Sequence, residues 1–538
     1  MIAKMLLALL ALTVGLTTAA QTFAYLMQLD PALGLPLWRQ SGLAIYAPWR
    51  VVVWAWRWGQ LAPTAFVLPA FLGGLSAGWT VCQCLPTRPK PGQAHWATER
   101  ELRQAQCRGT SGIVLGWTGA RWRRRLVCYD GPLHCFFVGR TGGGKTNTLT
   151  STLLTYRHSV LLNDPKGELW TRTAGFRATL GTVYRLAPTE TASAGYNFWG
   201  AIDPTSPAAF REVELLSHYL LEKEGPGHES SAGAFFSGLA MQFLNGLSLY
   251  GLRTGLATCG EDFNDLLAMS DWAELCQRMQ EHDLPVVQQA GRLGATGKGE
   301  VNDSLRLTLL RALSVFSDPQ VAAMTRTTTF PLTALREQDQ PCTVYWHVPF
   351  RDQARLKRLT RLFFHQVLDY CTQGRFLLDQ PGRLAVGHSL LWVAEELPSL
   401  GYFPMATGGL NYLRGYGIQM LLLTPSMQEV MKEYGTHQNF LEGSYVKVIF
   451  GLSDPRTARE FADSVGTHEV TRTRITRQRG RRSTSIDTHD KALLDATGIT
   501  KLPPGHVLIL AGMHALVARQ APFYGYRVWR EASTRPVP

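Results

Sequence analysis

Acidic side chains are scarce in this 538-residue chain: 41 Asp and Glu face 54 Lys and Arg, a formal charge of +13 at pH 7. An excess of that sign favours contact with nucleic acid or an anionic membrane surface. Cysteine pairing is missing too. The nine cysteines are scattered and odd in number, with no CxxC spacing and no histidine partners. That excludes a disulfide framework and a zinc site, and fits a reducing compartment for most of the chain. No self-similarity at a period of about 20–50 residues is present, which excludes a solenoid or propeller. What is present is apolar content: 45% of residues are hydrophobic, enough for two or three packed domains in a chain too long for one.

Charge is absent altogether from two long stretches, Met5 to Leu29 and Gln60 to Thr87. Each is long enough to span a bilayer, which takes about 20 apolar residues. Trp38, Trp49, Trp54, Trp56 and Trp58 between them match an aromatic collar at a membrane interface. The positive-inside count is mixed, with Arg39, Arg50 and Arg57 between the stretches and Lys4, Arg88, Lys90, Arg100 and Arg103 outside them. Lys4, the apolar run and the small residues Thr18 to Ala20 also match a cleaved signal peptide. On either reading the chain after about Arg88 is expected on the cytoplasmic side.

Beyond the Pro-rich hinge Leu85 to Gly92, apolar strand-like runs alternate with helical patterns, which predicts an α/β fold with a mostly parallel sheet. The expected strands are Cys135–Val138, Val160–Leu162, Val183–Leu186, Val344–Val348, Leu390–Val393, Met420–Leu423 and Val446–Phe450. Between Phe210 and Thr325 apolar residues recur at three- and four-residue spacing, the pattern of an all-helical insertion. The expected organisation is a two-helix transmembrane anchor with a short periplasmic linker over residues 1–90. A nucleotide-binding domain follows in two parts, 91–204 and 336–538, around an insertion at 205–335.

Gly139-Arg140-Thr141-Gly142-Gly143-Gly144-Lys145-Thr146 matches the P-loop pattern G-x-x-x-x-G-K-S/T in full. A buried-strand run, Phe136-Phe137-Val138, precedes it and a potential helix from Asn147 follows. The glycines let successive backbone N–H groups turn toward phosphate oxygens at a helix N-terminus. Lys145 then faces the β- and γ-phosphates of ATP, and the Thr146 hydroxyl ligates Mg²⁺. Leu390-Leu391-Trp392-Val393-Ala394-Glu395-Glu396 supplies two carboxylates at the end of an apolar strand, Glu395 for the magnesium shell and Glu396 as the base that orients water. The reading is a P-loop ATPase with ATP and Mg²⁺ as cofactors.

Several further segments, taken in order with the P-loop, resemble the type IV secretion coupling proteins, the TraG-like ATPases of conjugation. They are Asn163-Asp164-Pro165-Lys166-Gly167-Glu168-Leu169, Thr173-Ala174-Gly175-Phe176-Arg177, Tyr196-Asn197, Phe235-Phe236, Ser317-Asp318-Pro319, Glu395 to Gly401, Arg414-Gly415-Tyr416-Gly417 and Leu502-Pro503-Pro504-Gly505. The resemblance implies a RecA-like motor in the bacterial inner membrane, multi-pass, with most of the chain cytoplasmic. It implies assembly as a hexameric ring that receives DNA or a relaxase–DNA complex and feeds a type IV secretion channel. Arg414 is the candidate arginine that completes the site of a neighbouring subunit in such a ring. Two positions depart from the family pattern. Glu395 stands where the family usually has Asp, and Leu423 to Gln428 lacks the glutamine expected near Pro425, with Gln428 at a different spacing. A second class of function is therefore a nucleotide-switched substrate receptor with little motor activity.

Arg472, Arg474, Arg477, Arg479, Arg481 and Arg482 lie in a stretch without an acid between Glu469 and Asp487. Its composition predicts a mobile loop, either a DNA-phosphate contact or a solvated segment. Arg121 and Arg123 to Arg125, around Trp122, are expected to form a solvated or lipid-facing patch.

Overall fold

The structure is a computed structural model. It describes residues 2–40, 43–58, 93–119, 123–221, 231–269, 271–296, 299–379, 384, 387–436, 438–478 and 481–538, with the side chains of 2–12, 231–236, 471–478 and 481–486 outside the description. The chain divides into two compact units, Met1–Gly92 and Gln93–Pro538.

In the first unit, a helix covers Ile2–Leu26. Its threonines Thr17, Thr18 and Thr22 bond back to carbonyls one turn earlier, so these hydroxyls need no outside partner. A short hairpin and a helix at Arg50–Trp58 follow. Ala20, Phe23 and Ala24 are buried against Tyr46 and Trp54, with the Phe23 and Trp54 rings 5.6 Å apart. Trp54 therefore belongs to a small core and not to the expected collar, whereas Trp56 is 88% exposed. Apolar packing on the Phe23 face outweighs an interfacial position for that one indole. Among the described residues no helix is long and apolar enough to cross a membrane. The second uncharged stretch, Gln60 to Thr87, lies outside the described residues.

An eleven-stranded sheet organises the second unit. Its strands are β1 (Ile113–Thr118), β2 (Arg125–Tyr129), β3 (Cys135–Val138), β4 (Ser159–Asn163), β5 (Val183–Leu186), β6 (Thr343–Trp346), β7 (Leu390–Ala394), β8 (Ile418–Thr424), β9 (Val446–Ile449), β10 (His506–Ala511) and β11 (His514–Arg519). Their spatial order is β2-β1-β11-β10-β9-β3-β8-β7-β4-β6-β5. From β9 to β5 every pairing is parallel. β10, β11, β1 and β2 extend the sheet by antiparallel pairings.

The central strands β3, β7 and β8 are buried at every residue. Both faces of a parallel sheet are covered, so such strands read as unbroken apolar runs, which is why the sequence exposes them. The antiparallel wing was not expected. Its strand β11 is half-exposed and mixes His and Arg with apolar residues, whereas β10 is buried from Val507 to Ala511.

Between Leu186 and Thr343 the described residues contain no strand, and helices cover Ala209–Leu221, Ser231–Thr254, Gly260–Met269, Trp272–Gln280, Pro285–Thr296, Gly299–Leu313 and Pro319–Arg326. Stacked rings such as Phe243–Trp272 and Trp199–Phe263 fill their interior. The Tyr196-Asn197 pair ties this layer to the helix Phe350–Cys371. Tyr196 bonds Gln366, and Asn197 Nδ2 donates to Thr258 O at 2.9 Å.

The run from Arg472 to Arg482 corrects the expectation of a loop. Thr467–Gln478 and Arg481–Ala492 pair as an antiparallel hairpin, with Arg472 opposite Asp487 and Arg477 opposite Arg482. Thr and Ile alternate with the arginines, and β-branched residues at period two favour a strand, a signal the charge run obscured. Arg479 lies outside the described residues. In the patch ahead of β3, Arg125 pairs with Glu99 at 3.4 Å, while Arg121 and Trp122 lie outside the description.

Arg177, on helix Glu168–Arg177, is 1% exposed. Its guanidinium donates to Tyr156 O, His158 O and Thr343 Oγ1, stitching the end of that helix to the starts of β4 and β6. Removing it leaves two buried acceptors, Tyr156 O and Thr343 Oγ1, unpaired, at about 1–3 kcal/mol each before relaxation, and strips His158 O of its partner as well. Arg177→Ala is expected to lower unfolding stability by roughly 3 kcal/mol or more, measured by denaturant titration of the full chain; a loss under about 1 kcal/mol would contradict this role.

Candidate nucleotide-binding site

The P-loop leaves the carboxyl end of β3 and enters helix α1 (Lys145–Leu153). Gly139 N–H bonds Thr424 O at the end of β8, and Arg140 N–H bonds Gly451 O beyond β9. The loop is thus pinned from both neighbouring strands. Gly144 sits at φ +100°, in the left-handed region that favours glycine. A Cβ on Gly139 would lie 2.7 Å from that of Phe450, so this position excludes a side chain as well.

Thr141, Gly142, Gly143, Gly144, Lys145, Thr146 and Asn147 line one cleft together with Glu395 and Glu396. The two sequence motifs, far apart in the chain, therefore meet. Thr146 Oγ1 donates to Glu395 Oε1 at 2.9 Å. Glu395 is 6% exposed, and its other oxygen, Oε2, is buried without a hydrogen-bond partner. Burial pushes its carboxyl up to about 8, and the nearby Asp164 carboxylate adds to the shift. Asp164 itself is raised by burial, although Trp170 N–H donates to it at 2.8 Å.

Two buried carboxyl groups and an orphaned oxygen beside a threonine hydroxyl are an oxygen donor set for a hard divalent cation, and Mg²⁺ fits it. Burial also pushes the Lys145 ammonium down to about 8, against the pull of Glu396, Glu395 and Glu429. Lys145 Nζ lies on its own loop, donating to Gly139 O and, at 3.3 Å, to Arg140 O. A glycine cradle at a helix N-terminus with this lysine beside it suits the phosphates of ATP.

Sequence reasoning did not assign Lys166, Glu168 and Arg172 to the site, yet they form its other wall. The signal was present in the Asn163 to Leu169 segment, which follows β4 as Glu395 follows β7. Gly167 at φ +68° opens helix α2 (Glu168–Arg177), and Arg172 pairs with Glu168 at 3.0 Å. Asn163 Nδ2 donates to Ser399 Oγ, so the two strand ends hold each other.

Arg414 is not brought into this cleft. It is exposed at the entry to β8, and the P-loop is at the other end of that seven-residue strand, roughly 20 Å away. Gln428 is also outside the cleft, exposed and lining a neighbouring hollow with Arg140 and Asp454.

A parallel core in which β3 carries the P-loop, β7 carries the acids and β8 runs between them defines the RecA-like class of P-loop nucleotide-binding proteins. Within that class the chain belongs to the family described as type IV secretory system conjugative DNA transfer, whose model matches residues 95–536. The conjugal transfer protein TraG of Escherichia coli is 25% identical, covering 89% of this chain and 82% of that protein. Protein VirD4 of Agrobacterium fabrum is 25% identical, over 70% of this chain and 56% of its own length. The fold resembles the bacterial conjugative coupling protein TrwBdeltaN70, with a TM-score of 0.60 at 17% identity over 81% of this chain and 94% of that one. TrwB in complex with ADP and Mg²⁺ matches with a TM-score of 0.59 at 16% identity, over 81% and 95% of the two chains.

The raised Glu395 carboxyl has a consequence for the nucleotide-free protein. Between about 4.5 and 8 the folded state holds a proton that the unfolded state has released, so stability falls as pH rises through that window. Glu395→Gln is expected to flatten that decline in thermal unfolding measured without nucleotide or divalent cation. An unchanged slope would show that this carboxyl titrates normally.

Proposed function

We propose that this chain is the ATPase that recruits DNA, or a DNA–protein complex, to a type IV secretion channel and couples ATP hydrolysis to its transfer. The observation that carries the reading is the Thr146–Glu395 hydrogen bond, with the partnerless Glu395 oxygen beside it. Lys145 offsets phosphate charge, Thr146 and Glu395 hold the cation, and Glu396 orients water. The cation, when bound, draws charge from the phosphate oxygens. Family membership supplies the DNA and channel partners. The net charge of +13 suits nucleic acid.

The two uncharged stretches support a multi-pass anchor in an inner membrane, with the ATPase unit on the cytoplasmic side where ATP is available. The receptor reading draws on Gln428, which faces a separate hollow and leaves the cleft without a glutamine near Pro425. ATP turnover separates the two: a motor hydrolyses faster when DNA is added, and a receptor does not.

Glu396→Gln is expected to keep Mg²⁺-dependent nucleotide binding and lose DNA-stimulated hydrolysis, whereas Glu395→Gln weakens binding itself. The paired measurements are fluorescent-nucleotide titration and phosphate release; identical behaviour of both variants would refute the division of roles.

Arg414 acts from a second copy in this proposal, since it lies roughly 20 Å from its own P-loop. In a hexameric ring, an exposed cation at that end of the sheet is free to meet a neighbour's phosphates. Mixing inactive Arg414→Ala and Lys145→Ala subunits is expected to restore part of the ATPase activity. Co-assembly without any recovery would exclude action between subunits.

A further inference from the structure

Three consecutive glycines, Gly142 to Gly144, leave the P-loop able to adopt peptide orientations other than the phosphate cradle. A flip of the Gly143–Gly144 peptide would exchange the N–H that meets a phosphate oxygen for a carbonyl that repels it. One side chain opposes that flip. Gln520 Nε2 donates to Gly143 O at 2.7 Å. In a trans peptide the carbonyl and the following N–H point in opposite directions. The bond therefore turns the Gly144 N–H away from Gln520. Gly143 and Gly144 line the cleft and Gln520 is not among its lining residues, so it braces the loop from behind.

The bracing residue is itself held. Gln520 N–H bonds Gly505 O at 2.8 Å, and Gly505 stands at φ +73° in the Leu502-Pro503-Pro504-Gly505 segment. Arg519, just before it, pairs with His506 and Trp117 across the sheet. Ala521, just after it, accepts a hydrogen bond from Ser151 on α1 at 2.7 Å. The same amide packs closely on Gly144, where a Cβ would fall 2.4 Å from Gln520 Oε1.

We propose that Gln520 is a positioning residue for nucleotide phosphate, setting the peptide orientation of the P-loop before the ligand arrives. The proposal deepens the nucleotide-site reading and rests on it. A preorganised cradle binds more tightly because ordering its glycines no longer opposes association.

The test uses the full-length chain, with mant-ADP and Mg²⁺ as the probe. Gln520→Ala is expected to raise the Kd roughly five- to tenfold, the order of one lost hydrogen bond and the order it imposed. Gln520→Glu keeps the shape but has no donor, so it should lose at least as much, because its carboxylate repels the Gly143 carbonyl. In steady state both variants raise KM for ATP, while kcat at saturation changes less than about twofold, the pattern of lost ground-state positioning. Nucleotide-free melting temperatures within about 2 °C of the unaltered protein exclude general unfolding as the cause. Unaltered mant-ADP affinity in both variants, with binding abolished in Lys145→Ala, would overturn the role of Gln520 alone. A lower melting temperature with unchanged affinity would make Gln520 a packing residue and overturn it equally. Unaltered binding in Lys145→Ala would instead overturn the nucleotide-site assignment itself.

Discussion

The register of three parallel strands is the constraint on which the site depends. β8 pairs residue for residue with β3 on one side and β7 on the other, placing Val138, Thr424 and Ala394 at one end of the sheet. Residues just past those ends then meet without any long side chain reaching for them, and Thr146 finds Glu395 across 249 positions of sequence. A shift of one residue in either pairing would move the acids by about 3.3 Å along the strand and turn alternate side chains to the other face. Complete burial of these strands makes such a shift costly, because it would disturb close packing on both faces. Apolar packing thus sets the geometry in which charged groups work.

What was legible in the sequence follows from the same physics. The buried parallel strands announced themselves, and Cys135–Val138 and Val183–Leu186 agree to the residue with the expected bounds. The P-loop and the Glu395-Glu396 pair were readable because their chemistry demands particular residue types at fixed spacing. The Arg-rich hairpin was not, since its strands alternate polar with β-branched residues and lack a continuous apolar run; the antiparallel wing went unread although β10 carries such a run from Val507 to Ala511. Lys166 and Arg172 escaped assignment because their place in the cleft is a property of β4 lying beside β7, which is a long-range pairing. Gln520 left no local signal at all. It sits after β11 among unremarkable neighbours, and only tertiary contact gives it a partner.

Segments noted for resemblance alone acquire physical roles. Asn163 ties one strand end to the loop after another, Arg177 satisfies carbonyls beneath the sheet, and Tyr196-Asn197 joins the helical layer to the core. These are hydrogen bonds to buried groups, where loss of one partner strands the other and substitution is penalised from both sides. Such positions are fixed by fold as firmly as Lys145 is by chemistry.

The C-terminal segment bears on how the molecule is made. Gly175, on helix α2, would meet Pro536 and Arg535 carbonyls if it carried a side chain, and Arg172, on the same helix, lies over the Phe523 ring. Strands flanking the P-loop come from beyond residue 417, and its brace from position 520. A ribosome releasing this chain therefore emits the phosphate loop several hundred residues before its supports. The first glycines must wait, exposed, while non-local pairing proceeds slowly. Nucleotide capture is thereby deferred until position 520 has been made, and a chain terminated before it would lack the brace of its own phosphate loop.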